Sequence, residues 1–209
     1  MNRKYEGTSF RKEQIVRAAA ELIVEYGSEH LTIKKLAAQI GLSEAAIYRH
    51  FCSKIEIYQY LIQYMEHLLL SELIFKEGQF KLIDLERLVK RHLSAIEKSC
   101  GIEFQIIAEI ISVGDPKLNA EMYNTINRYL DRVELIIERG KYEGFVRETV
   151  DARNAATLFF SFIHGLVNLW VLSGRSFSLR QRFIGLWSFY RQVVIKVNSE
   201  GRGHARIAN

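Results

Sequence analysis

Residues 32–54 read Thr-Ile-Lys-Lys-Leu-Ala-Ala-Gln-Ile-Gly-Leu-Ser-Glu-Ala-Ala-Ile-Tyr-Arg-His-Phe-Cys-Ser-Lys, and they decide the fold. Ile33, Leu36, Ala37 and Ile40 are spaced by three and four, which puts them on one face of a short helix. Gly41 follows, the residue best able to take the positive φ that ends a helix. Leu42 is apolar and suits the plug of a tight turn. Ser43 is a good N-cap for a second helix. In that helix Ala46, Ile47 and Phe51 face inward. Glu44, Tyr48, Arg49 and His50 face out. Lys54 opens a third helix almost at once.

Two short helices around such a turn form a helix-turn-helix. The second is small-residue-rich at its start and can enter a major groove without steric conflict. The stretch resembles the DNA-binding domain of TetR-family transcriptional regulators. The match lies in Leu31-Thr32-Ile33, Leu36-Ala37, Gly41-Leu42-Ser43, Ile47-Tyr48, His50-Phe51 and Lys54, and detailed similarity spans about residues 11–62. The resemblance implies an all-α fold. A three-helix DNA-binding domain is expected at 1–55, with an N-terminal arm. A larger helical effector-binding and dimerisation domain is expected at 56–198, and a disordered tail at 199–209.

Contacts to DNA divide into phosphate and base types. The resemblance assigns Thr32, Tyr48, His50 and Lys54 to phosphates. Thr32 also reads as an N-cap and nothing more. Base reading falls to Lys34, Ser43, Glu44, Ala45, Ala46 and Arg49. An alanine methyl can touch a thymine methyl, a lysine can donate to guanine, and a carboxylate can only accept, which suits cytosine N4. Glu44 has a bland alternative, because a carboxylate in the first turn also stabilises the helix dipole.

The charge distribution agrees. Residues 1–55 carry nine Lys/Arg against six Asp/Glu, whereas 56–190 carry sixteen against seventeen. A basic N-terminal segment suits phosphate binding, although ordinary solubilising charge gives the same excess. The two cysteines, Cys52 and Cys100, have no paired spacing and no nearby histidine cluster. They fit a reducing cytoplasm. Neither a metal set nor a cofactor motif is present in the pattern, and no catalytic pairing argues for an enzyme.

In chain order, residues 1–10 read as an arm with Arg3 and Lys4, free to reach a minor groove or simply disordered. Residues 11–26 repeat apolar side chains at Ile15, Ala18, Ala19, Leu22, Ile23 and Tyr26. Arg11 and Lys12 sit near that helix's N-terminus, where they oppose its dipole and point to a phosphate partner. Residues 53–76 are apolar on more than one face, as expected of a helix shared by two cores. Glu77-Gly78-Gln79 is the expected joint, and helices follow at 81–98 and 102–112. Asp115-Pro116 restarts a helix that runs to about Arg139 or Tyr142, ended by Gly140 and Gly144.

Residues 152–173 and 179–197 have too many apolar positions for one buried face. They are also too short and interrupted (Ser161, His164, Asn168) for a membrane span. A four-helix homodimer interface is the expected use, through Phe159, Phe162, Leu166, Trp170, Phe183, Trp187 and Tyr190, with Gly165 and Gly185 allowing close approach. The resemblance further implies a cavity for a small hydrophobic effector, with Tyr64, Leu68, His92, Ile96, Ile107, Tyr123 and Asn127 as its wall. The expectation is therefore a cytoplasmic, dimeric repressor that leaves a near-palindromic double-stranded DNA operator when the effector binds. A DNA-binding protein of the same fold without an effector, and a helical carrier or enzyme, are the rivals.

Overall fold

The structure is a computed structural model that describes residues 3–27, 31–74 and 80–196. The chain elements in order are α1 (Arg3–Tyr26), α2 (Ile33–Gln39), α3 (Glu44–Tyr48), α4 (Lys54–Ser71), α5 (Leu82–Lys98), α6 (Ile102–Val113), α7 (Pro116–Tyr142), α8 (Ala152–Leu172) and α9 (Leu179–Val194). Among the described residues the sole β feature is an isolated antiparallel bridge between Val146 and Ile195. The expected joint at Glu77-Gly78-Gln79 and the tail at 199–209 lie outside the described residues.

Helix starts follow the caps legible in sequence. Thr32 accepts from the Lys35 N–H, Ser43 from Ala46, Ser53 from Glu56, and Asp115 from Lys117 and Leu118 with Pro116 in the first turn. The turn after α2 is a Schellman arrangement. Gly41 sits at φ +65°, its N–H donates to Ala38 O, and the Leu42 N–H donates to Ala37 O at 2.9 Å.

Two local expectations change. The arm at 1–10 is replaced from Arg3 onward by the first turns of α1. No proline or glycine-rich break separates those residues from the periodic run, so the helix simply extends toward the N-terminus. Gly140 does not end α7, because it is buried inside the helix. A Cβ there would come within 2.6 Å of Val146 Cγ2 and 2.9 Å of the Phe145 ring. Gly140 therefore lets the segment after α7 fold back against it.

α4 is the helix that both ends of the chain share. On one side Lys12 of α1 donates to Glu56 Oε1 at 2.9 Å and to the Tyr60 hydroxyl at 3.1 Å. On the other, Tyr58 donates to Glu109 of α6 at 2.5 Å, and Arg128 of α7 pairs with Glu66. Buried apolar side chains run as one continuous cluster from Ile15 in α1 through Leu61 and Met65 to Ile195. A displacement of α6 or α7 therefore meets α4 through close-packed contacts.

In the larger half, α8 lies against α7 and α9. Arg153 ties α8 to Asp131 (2.5 Å) and Asn127 (2.6 Å) of α7, and the Tyr190 hydroxyl of α9 donates to Ala155 O at 3.1 Å. The judgement that this run is too short for a membrane is corrected here. The 21 residues of α8 are long and apolar enough by length and composition. Its Ala156, Phe159, Ile163 and Val167 are nevertheless buried against protein.

Candidate nucleic-acid interface

α3 is only five residues long, and its outward row is Glu44, Ala45 and Tyr48, continued by Arg49. Tyr48 is 52% exposed, although it is a large aromatic beside a hydrophobic core. Leaving it out of the core is a cost unless a partner covers it. Ile47 beneath is fully buried and Phe51 nearly so, which fixes the helix against α1 and α4. Lys34, Ser43 and Lys54 are also exposed, and Lys34, Arg49 and Lys54 enter no ion pair among the described residues. Thr32 and Lys54 stand at the starts of α2 and α4, where free backbone N–H groups and the helix dipole favour an anion.

Ala46 is removed from the base-reading set. It is only 5% exposed, because its small side chain packs inward one turn before the core residues that follow. His50 is half-buried, and its Nδ1 is buried without a partner. A bare acceptor nitrogen costs less in that position than an N–H. Nε2 is then the ring nitrogen left to donate to a partner.

Lys12 and Arg11 are also reassigned. Lys12 sits between Glu56 and Tyr60, with its ammonium 4.5 Å from the Tyr60 ring centre and 5.1 Å from that of Phe51. The Glu56 hydrogen bond raises the Lys12 pKa, and Lys12 and the Cys52 N–H lower that of Glu56. Arg11 donates to Gln14 at 2.6 Å. Since α1 begins at Arg3, neither residue stands at a helix start; Lys12 ties α1 to α4, and Arg11 bonds within α1. The signal for this lay 44 residues away in the sequence, at Glu56.

The expected effector wall divides. His92, Ile96 and Ile107 are buried, Tyr64 and Leu68 are half-buried, and Asn127 is engaged by Arg153. Tyr123 is corrected, since it is 68% exposed on the solvent side of α7. None of these residues lines the small apolar void of the larger half. It lies between Leu88, Val133, Ile136, Phe159, Trp187 and Tyr190, with room of about 20 Å³. That is about one water-sized sphere.

Two buried acid-base groups sit nearby. His92 Nε2 is 3.1 Å from the Tyr129 hydroxyl, and burial depresses its pKa to about 4. Burial pushes the Glu103 carboxyl up to about 7, against the pull of its own backbone N–H and of Ser99, whose hydroxyl donates to it at 2.7 Å. A raised folded value means that the stability Glu103 contributes is full below its unfolded value near 4.5 and is lost as pH rises through about 7. Glu103→Gln should therefore melt like the parent near pH 4.5 and be more stable by about 1–3 kcal/mol at pH 8. Urea denaturation at both pH values checks this, and a variant less stable at pH 8 would contradict it.

The expected dimer residues are corrected most. Phe159, Leu166, Trp170, Phe183 and Tyr190 are 4–6% exposed and form the chain's own core, while Phe162 and Trp187 are half-buried. The outward apolar positions are Leu169 (60%), Leu172 (83%), Phe189 (66%) and Val193 (56%). On α8 they continue the row of Gly165 at offsets of four and seven, and on α9 that of Gly185 at offsets of four and eight. Nothing lies within 4 Å of a Cβ built on either glycine. Among the described residues no group of three or more His, Cys, Asp or Glu could hold a metal ion.

A helix-turn-helix on a three-helix base, joined through α4 to a larger helical half, defines a DNA-binding regulator. The chain belongs to the bacterial regulatory proteins of the tetR family, whose model matches residues 15–61. Its larger half carries the finer assignment, since residues 63–187 match the family described as YsiA-like protein, C-terminal region. Its relatives are DNA-binding proteins and not enzymes. Nucleoid occlusion factor SlmA of Idiomarina loihiensis is 27% identical over 187 residues, covering 88% of this chain and 95% of that protein. Among solved structures the chain resembles the transcriptional regulator FadR from Bacillus subtilis in complex with stearoyl-CoA. The TM-score is 0.70 at 23% identity, over 85% of this chain and 96% of that one. SmeT, the repressor of the Stenotrophomonas maltophilia multidrug efflux pump SmeDEF, gives a TM-score of 0.70 at 17% identity, over 94% of this chain and 96% of that one.

Proposed function

We propose that this chain is a homodimeric repressor that holds a near-palindromic operator and leaves it when a small hydrophobic effector binds. The observation that carries the DNA-binding part is the exposed row Glu44, Ala45, Tyr48 and Arg49, flanked by helix starts bearing Thr32 and Lys54. Thr32, Tyr48, His50 and Lys54 hold phosphates, and Lys34, Ser43, Glu44, Ala45 and Arg49 read bases. The outward rows on α8 and α9 pair with those of a second copy, which covers Leu169, Leu172, Phe189 and Val193. Two copies then present two recognition helices to half-sites about one helical turn apart or somewhat more.

Release requires an effector that binds the DNA-free state more tightly than the DNA-bound one. The contacts of α4 with Glu109 and Arg128 supply the mechanical link to the reading head. The likeness to SmeT, the repressor of a multidrug efflux pump, and to FadR with stearoyl-CoA supports this reading. A second reading, binding to DNA without an effector, is favoured by the likeness to SlmA and by the nearly filled interior.

Fluorescence anisotropy tests the first part, with a labelled duplex from the region flanking the protein's own gene against a scrambled duplex across salt. A preference for the native duplex with steep salt dependence is expected. Equal, weak binding to both, followed by a genome-wide selection that finds no preferred site, would overturn the regulator. A ligand-dependent rise in melting temperature with loss of anisotropy separates the two readings.

A further inference from the structure

The five residues of α3 make little more than one helical turn, and a helix of that length does not hold its own direction in water. The direction of α3 therefore comes from its flanks. Before it stands the turn at Gly41 with the Ser43 cap. After it, residues 49–53 join α3 to α4. This joint contains His50 and leads straight into Lys54. A group that pins the joint sets the exposed row of α3 and both of those side chains together.

Glu56 pins it from α4. Its Oε2 accepts from the Cys52 N–H at 2.7 Å, while its own N–H donates to the Ser53 hydroxyl at 3.2 Å. In a capping box the acidic side chain reaches back to the N–H of the cap residue itself. Here it reaches one residue further, so it takes hold of the joint as well as the helix. Its other oxygen, Oε1, accepts from Lys12.

Lys12 pins the joint from α1. Its ammonium lies over the ring of Phe51, the buried side chain of the joint, and over that of Tyr60, whose hydroxyl it also meets. The two rings stand edge to face with centres 5.3 Å apart. One cation thus touches α4 and the joint at four points. The side chains of Lys12 and Glu56 are 21% and 25% exposed. An ion pair this accessible adds little to global stability, so its effect falls on local geometry.

We propose that Lys12 and Glu56 are positioning residues for sequence reading, a clasp that holds the joint so that α3 meets the groove in one orientation, without touching DNA themselves. This rests on the reading that the exposed row of α3 recognises bases. Sequence-independent binding needs only cations near phosphates and tolerates a loosened head, whereas base contacts need fixed donors and acceptors. Loss of the clasp therefore lowers selectivity and spares charge-driven affinity.

The test compares, on the full-length protein, the duplex that the parent enriches from a random pool with a scrambled duplex of the same length. Glu56→Ala should cut the ratio of the two affinities at least tenfold, with the scrambled-duplex affinity, its salt slope and the melting temperature little changed. Glu56→Gln keeps an acceptor for the Cys52 N–H and loses the charge facing Lys12, so its ratio should fall between. Lys12→Met should lower the ratio without altering the salt slope, and Lys12→Arg should restore it. Lys12→Met added to Glu56→Ala should cost less than the two losses combined, because both act through one clasp. Amide hydrogen exchange without DNA gives the second readout. Glu56→Ala should speed exchange at His50, Phe51 and Cys52 at least tenfold and leave α7 and α8 unchanged. A shallower salt slope in Lys12→Met would make Lys12 a phosphate contact and overturn the proposal. Unaltered selectivity in Glu56→Ala would overturn it too, whatever the exchange. If the parent enriches no duplex, the base-reading interpretation falls and exchange alone decides the clasp: faster exchange keeps it, and unaltered exchange overturns it.

Discussion

Exchange of Tyr48 and Lys54 for alanine is expected to weaken DNA binding on the order of 100- to 1,000-fold at 0.15 M salt, with little change in melting temperature. Both side chains are exposed, so their loss opens no cavity. The size of the effect comes from symmetry, because a dimer loses each contact twice. Lys54 removes one cation per subunit, so the slope of log affinity against log salt should fall by about 1.8 in magnitude from this residue. Tyr48→Phe in place of Tyr48→Ala isolates the hydroxyl and should leave the slope unchanged. The loss should be nearly equal on native and scrambled duplexes, since phosphates carry no sequence. A loss confined to the native duplex would mean that these residues read bases. Unchanged affinity would remove them from the interface.

Gly101→Ala is expected to destabilise the fold by about 2–4 kcal/mol, the largest single-site loss foreseen outside the apolar core. Two costs coincide there. Gly101 sits at φ +70° directly after Cys100 at φ 58°, so the turn between α5 and α6 runs through two left-handed residues. Its N–H closes α5 by donating to Ile96 O at 2.9 Å. The new Cβ would also come within 2.8 Å of Val167 Cγ1 on α8, a branched side chain held in the core. Val167 has no flexible end to withdraw, so α6 or α8 must shift. Urea denaturation with an unchanged m-value should show the loss. A change below about 0.5 kcal/mol would mean that the turn relaxes freely. Since Glu109 on α6 meets Tyr58 on α4, a shifted α6 should also disturb DNA affinity. The melting and binding curves of this variant report on the same coupling that effector release needs.

The reading head was legible because its rules are local. Thr32, Ser43 and Ser53 each cap a backbone N–H three residues on, and Gly41 supplies a left-handed turn within the same segment. Such features depend on neighbours within a turn or two of chain. Lys12 was misread for the opposite reason. The sequence placed it at a helix start, but α1 begins at Arg3, and the carboxylate that accounts for Lys12 is on another helix. Ala46 is buried as its spacing with Ile47 and Phe51 has it, so its assignment to base reading went against the pattern of its own helix.

The sequence by itself determined that this protein is all-helical, where its side-chain-capped helices begin, and which short helix carries the reading head. Capping, glycine φ and three-four spacing act over single turns and need no other element. Tertiary structure alone decided which apolar side chains of α8 and α9 form the core and which remain outside. Apolar periodicity marks a buried face only where polar residues mark the other, and these helices are apolar nearly all round. Packing against α7 took Phe159, Ile163 and Tyr190 inward and left Leu169, Leu172, Phe189 and Val193 exposed.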